Sequence, residues 1–195
     1  MNIFKTPEGY LYSNRALLAL FIPLLIEYAL EFCVGLADSI MVASLGEAAI
    51  SGVSLVDFLV QLLIFSFSAL ATGGAVVAGQ YLGDKQIEKA QNSATQLVWF
   101  STILSTVLMI AVVLLRRVLI GLLFGQIEAD VWANADIYLY IVALSIPFIA
   151  IYNAGAAIFR TTNNASLPMK ILLVCDVLNV VGNAKIGRAS CRERV

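Results

Sequence analysis

The sequence predicts an all-α integral membrane protein, a multispanning helical bundle, and three observations carry that expectation. Hydrophobic residues make up 61% of the chain against 13% charged, with mean hydropathy +0.91, which is more apolar surface than a soluble domain of this size can bury. The apolar residues gather into segments of about 18 residues or more, long enough to cross a hydrocarbon core of about 30 Å. Short breaks rich in Gly, Asn, Ser or charge separate them.

Five such segments are expected at 16–45, 53–82, 95–115, 137–159 and 167–184, the last cut short. The first is too long for the apolar core of a signal peptide, so it reads as a retained span. The breaks are LGEAAISG, GDKQIEKAQNS and RTTNNASLP. The connection after the third segment, RRVLIGLLFGQIEADVWANAD, is longer and partly apolar, and reads as an interfacial helix. Pro23 and Pro147 fall inside spans as expected kinks, and Trp99, Trp132, Tyr138 and Tyr140 are expected interface anchors. The Gly and Ala spacing of ATGGAVVAG indicates close helix packing rather than a phosphate cradle.

Several functions are disfavoured by composition. Net charge is −1, with no basic excess to engage nucleic acid, and the chain has no His, the commonest metal ligand and general base. Cys33, Cys175 and Cys191 are too few and too scattered for a disulfide framework or a zinc site. No Gly-x-Ser-x-Gly elbow or paired-Asp protease motif occurs, so the chain does not read as an intramembrane enzyme.

Lys5 and Arg15 precede the first span, Lys85 and Lys89 follow the second, and Arg160 and Lys170 flank the link from fourth to fifth, all on one side. The other side offers Arg116 and Arg117 beside Glu128, Asp130 and Asp136, with Glu47 in the remaining loop. The positive-inside rule then places the amino terminus, residues 1–15, in the cytoplasm of a multi-pass cell-membrane protein.

The first span nevertheless carries three acids, Glu27, Glu31 and Asp38. At about 100° per residue Glu31 lies about 40° and Asp38 about 20° round from Glu27, so they share one stripe. A charge facing lipid at mid-membrane costs several kcal/mol, so the stripe must face protein or water. Asp57 and Gln61 repeat the pattern at i and i+4 in the second span. In the fifth, Asp176, Asn179 and Asn183 fall within about 60° of one another. The Asn pair is suited to hydrogen-bonding a carboxylate or coordinating a dehydrated cation, and equally to bridging helices.

Three blocks carry a family resemblance. IPLLIEYALEFCVGLADSIMVASLGEAAISGVS, ATGGAVVAGQYLGDKQIEKAQ and AIFRTTNNASLPMKILLVCDVLNVVGN, in that order, resemble the first helix, the end of helix two with its cytoplasmic turn, and the Arg-containing turn with helix five of multidrug and toxic compound extrusion (MATE) transporters. The resemblance covers roughly residues 15–184. It implies an exporter of two six-helix lobes around a central cavity, with 16–184 a partial amino-terminal lobe and the carboxy-terminal lobe a missing partner. It further implies that Asp38 couples transport to a proton or sodium, together with Asn179, Asn183 and, on helix four, Asn153. Glu27, Glu31, Asp57, Gln61 and Asp176 would line a cavity for small organic, mainly cationic, substrates. Some relatives have Asp at the position of Asn183, so this site holds fewer acids unless Asp176 or Glu31 compensates. No cofactor beyond the coupling ion is expected, and no metal site unless Asp38 is a sodium ligand.

Two rival readings are a lipid-linked oligosaccharide flippase of the same superfamily and a membrane assembly subunit that transports nothing. The cavity acids, with no evident intramembrane Arg or Lys, favour cations over a diphosphate. Residues 185–195, KIGRASCRERV, put four basic residues at the non-cytoplasmic end of the fifth span, against the orientation rule. They resemble a translated vector or adapter junction and are expected to be non-native.

The orientation is tested by reporter fusions. A reporter after Gln86 is expected to be cytoplasmic and one after Glu47 external, as read by paired phosphatase and fluorescent-protein activities; both on one side would overturn the span order.

Overall fold

The structure, a computed structural model, describes residues 14–44 and 46–193, with side chains described through residue 182. The described residues form five α-helices and no strand: α1 (Asn14–Ala43), α2 (Glu47–Gly83), α3 (Ile87–Phe124), α4 (Ala129–Thr161) and α5 (Ser166–Glu193). Helices α1 to α4 are each long and apolar enough to cross a membrane. The fifth expected segment lies on α5. The expected junction at 185–195 falls beyond the described side chains, as does Cys191.

The breaks are shorter than the sequence implied, because their ends are absorbed into helix. The connection between α2 and α3 is only residues 84–86. There Gln86 N–H donates to the Tyr81 carbonyl at 2.9 Å and Lys85 N–H to that of Leu82 at 3.1 Å, with Lys85 at φ 59°. This is a Schellman closure with Lys in the left-handed position that Gly usually takes. Gly46, at φ 114°, opens α2 in a conformation that suits Gly.

One expectation is corrected. The stretch after Leu115 is not an interfacial helix; it continues α3 as far as Phe124, and Gly125 at φ 63° ends it. Ile120, fully buried, and Phe124 pack one turn apart against Val56, Ala135 and Leu139, so the helix gains core contacts by continuing. Arg116, the charge that suggested a break, is neutralised by Asp136.

The chain divides into two compact units, 39–161 and the pair of segments 1–38 and 162–195. In the first, α2 and α4 run parallel with α3 antiparallel to both, around three successive clusters of core. Val56, Ile120, Ala135 and Leu139 form one; Phe67, Ala143, Ile146 and Ala150 the next; Ala71, Ala75, Leu97, Ala154 and Ala157 the third. Lipid tails are as apolar as these side chains, so the driving force is close packing, which small residues permit. Buried Ala71, Ala75 and Ala78 bear out the packing reading of ATGGAVVAG, and a Cβ on Gly74 would collide with the side chain of Leu97. Against α4 the backbone approaches closely at Gly52, where a Cβ would stand 2.9 Å from the Val131 carbonyl oxygen and 3.0 Å from the Ala135 nitrogen.

The second unit comprises α1 as far as Asp38 and the chain from Thr162 through α5. Both helices expose most of their apolar side chains; on α1 only Pro23 and Glu27 are buried. Helices α1 and α4 run unbroken through Pro23 and Pro147.

Gly52→Ala is expected to destabilise the protein by about 1–3 kcal/mol, because two of the three nearest obstacles are backbone and the third is the Asn134 Cβ, none of which can rotate away. Gly73→Ala, whose Cβ meets nothing within 4 Å, should be neutral or gain up to about 1 kcal/mol of helix propensity. Denaturant unfolding in detergent micelles separates the two.

Candidate functional site

The acids of the first span share a stripe but not an environment. Glu27 is only 3% exposed, Asp38 is partly buried, and Glu31, about 40° away on the helix, is exposed within its unit. On α5, Asp176 is partly buried, and its Oδ2 is enclosed without a hydrogen-bond partner among the described residues. Asp176 lies within electrostatic range of Asp38. The fold of this unit therefore brings together two of the acids that the sequence singled out, from opposite ends of the chain. Asn179, one turn beyond Asp176, is exposed in the unit, and the side chain of Asn183 lies outside the described residues.

Two carboxylates within electrostatic range of one another on apolar helices raise the cost of carrying both charges, a cost that a proton or a cation would lower. Among the described residues no group of three or more Asp, Glu, Cys or His is placed to enclose a metal ion.

The remaining candidates belong to the other unit. Tyr138 on α4 donates its hydroxyl to Asp57 Oδ1 on α2 at 2.8 Å, while Gln61, one turn further on, is exposed. Asn153 is partly buried on α4, and its Nδ2 donates to the Ile149 carbonyl at 2.9 Å. That bond uses one donor within its own helix, and leaves Oδ1 as the end of the amide suited to a cation or a proton donor.

Two polar contacts were not foreseen. Tyr138 was expected only as an interface anchor, yet it is the partner of Asp57. The signal available in the sequence was that a carboxylate on an apolar helix needs a donor, and an aromatic hydroxyl supplies one without adding charge. The other is the bond from Arg116 Nε to Asp136 Oδ1 at 2.7 Å, with the side chains 27% and 14% exposed. The same guanidinium lies 5.2 Å from the ring centroid of Tyr140, so α3 and α4 are joined by an ion pair and a ring contact at one place.

These features define a class, the polytopic helical membrane protein with polar groups set into its spans. Within that class the chain belongs to the MatE family, whose model matches residues 23–184, and so has the fold of a multi-pass membrane transporter. It is 27% identical over 162 residues to YisQ, an uncharacterized transporter of Bacillus subtilis strain 168, across 83% of this chain and 35% of that protein. It superposes on a multidrug resistance MATE family transporter of the MOP superfamily in an outward-facing conformation, with a TM-score of 0.79, 25% identity and coverage of 87% of this chain and 37% of that one. A MOP superfamily transporter from Pyrococcus furiosus, whose binding pocket of reverse polarity suggests a different function, gives a TM-score of 0.79 at 24% identity over 87% of this chain and 37% of that one. That likeness concerns the fold alone. The chain thus spans little more than a third of the length of these relatives.

A double-mutant cycle tests the α3–α4 link. Arg116→Gln and Asp136→Asn are each expected to destabilise, and the pair together by less than their sum, with a coupling of about 1–2 kcal/mol. Unfolding free energies in micelles give the value, and strict additivity would show that the bond contributes nothing.

Proposed function

We propose that this chain supplies the amino-terminal helices of a cation-coupled antiporter that exports organic, mainly cationic, compounds across the cell membrane, with its amino terminus in the cytoplasm. The observation that carries the proposal is that Asp38 on α1 and Asp176 on α5 lie within electrostatic range of each other. Membership of a transporter family gives the acids a task, and their placement inside apolar helices gives the task a mechanism.

An exchanger must hold either the coupling ion or the substrate and not both. Asp38 is the group assigned to that alternation, and Asn179, Asn183 and Asn153 are assigned to the same coupling role. When Asp38 is neutralised, repulsion with Asp176 disappears, and α1 and α5 settle into a packing different from that of the charged pair. That difference in free energy biases the transporter between its outward- and inward-facing states. Glu27, Glu31, Asp57, Gln61 and Asp176 supply a negative or polar lining, which in surroundings of low dielectric attracts cations strongly. Asp176 takes over part of the role that a second acid at the position of Asn183 fills in some relatives. The coupling ion is assigned as a proton, with sodium as the other outcome of the test.

In the full-length transporter that carries these helices, Asp38→Asn is expected to reduce ion-driven export to background while insertion stays normal, because the amide is nearly isosteric but does not titrate near neutral pH. Substrate binding to the parent protein should release protons to the medium, and Asp38→Asn should abolish the release. If sodium is the ion, substrate affinity will instead change with sodium occupancy, and reciprocally. A variant that still pumps at the parental rate under either gradient would remove Asp38 from the mechanism.

A further inference from the structure

We propose that Arg117, seated on Trp132, is a docking point for the phosphate of an anionic phospholipid at the end of the α3–α4 pair. Helix α3 carries two adjacent arginines about two turns before its end, with apolar residues on either side, and the structure gives them different surroundings. The charge of Arg116 is taken up by Asp136 at 2.7 Å. Arg117 has no carboxylate within 4 Å among the described residues and is exposed, and its guanidinium carbon lies 5.9 Å from the ring centroid of Trp132 on α4. Glu128 and Asp130, the acids nearest in sequence on the approach to α4, are exposed and outside ion-pair distance of it.

The surface around Arg117 identifies the partner. Leu114 is 77% exposed, Val118 61% and Leu122 80%, an apolar stripe of α3 suited to hydrocarbon. Arg117 lies about 60° round the helix from Leu114, at the border between that stripe and the face packed on α4. A cation in this position extends its stem along apolar surface and its head toward the headgroups, the depth at which Trp is also favoured. Contact with the indole face leaves the N–H edges of the guanidinium available, and their planar fork matches two phosphate oxygens. A zwitterionic headgroup brings its own cation beside its phosphate, whereas an anionic lipid offers net charge complementarity. The proposal does not depend on the transport reading, because it rests on α3 and α4 alone.

The test uses the intrinsic probe. The chain has two Trp, so in a Trp99→Phe background Trp132 is its sole indole. That chain is reconstituted into phosphatidylcholine vesicles containing equal mole fractions of either bromine-tailed phosphatidylglycerol or bromine-tailed phosphatidylcholine, and quenching of Trp132 is compared. The anionic lipid is expected to be enriched at Trp132 by about fivefold, the factor expected of one arginine at an anionic surface. Arg117→Gln should bring the ratio to about one with helical circular dichroism unchanged, and raising the salt to about 1 M should shrink the parental ratio. Equal quenching by both lipids, quenching by neither because protein covers the site, a ratio unchanged in Arg117→Gln, or a ratio insensitive to salt would each overturn the proposal.

Discussion

The constraint on which this structure depends is that hydrocarbon solvates neither a charge nor an unpaired backbone group. It forces the spanning chain into helices, since only a helix satisfies its backbone hydrogen bonds within one segment. It also compels every polar side chain on those helices to find water or protein. Asp57 meets Tyr138, Arg116 meets Asp136, and Asp176 stands beside Asp38. These contacts differ in what they achieve. The first two satisfy a polar group and tie helices together; the third brings two acids within electrostatic range of each other.

Packing of α2, α3 and α4 follows from the same solvent. With no hydrophobic gain in moving a Leu from lipid to a helix interface, stability comes from how closely backbones approach. This explains why the clusters between α2 and α4 are so rich in Ala, and why Gly52 has a carbonyl where its side chain would be. The large apolar residues are instead turned outward, as on α1 and α3, which inverts the arrangement of a soluble bundle.

Charges at the ends of spans act differently from those within them. Arg116 lets α3 extend past the point where the sequence seemed to break, because its partner on α4 removes the cost of carrying charge into an apolar helix. Arg117, one residue on, is placed 100° further round and so reaches the lipid-facing border rather than α4's carboxylate. A single step along a helix thus separates an internal tie from a surface contact.

What the sequence by itself determined is whatever depends on solvent and period: membrane residence, the helical segments and their order, the family, and the acids as the residues to watch. Composition and spacing encode these directly, since 3.6-residue periodicity and segment length are local properties. Only the tertiary structure decided that α3 runs to Phe124, that Tyr138 serves Asp57, that Arg116 and Arg117 differ, and that Glu27 is enclosed while Glu31 is exposed. Each of these turns on which side chain another helix presents at a given level. Partners 20 residues apart, as for Arg116 and Asp136, or 81 apart, as for Asp57 and Tyr138, leave no periodic trace in the chain. They arise only when helices that are each stable alone are brought into register.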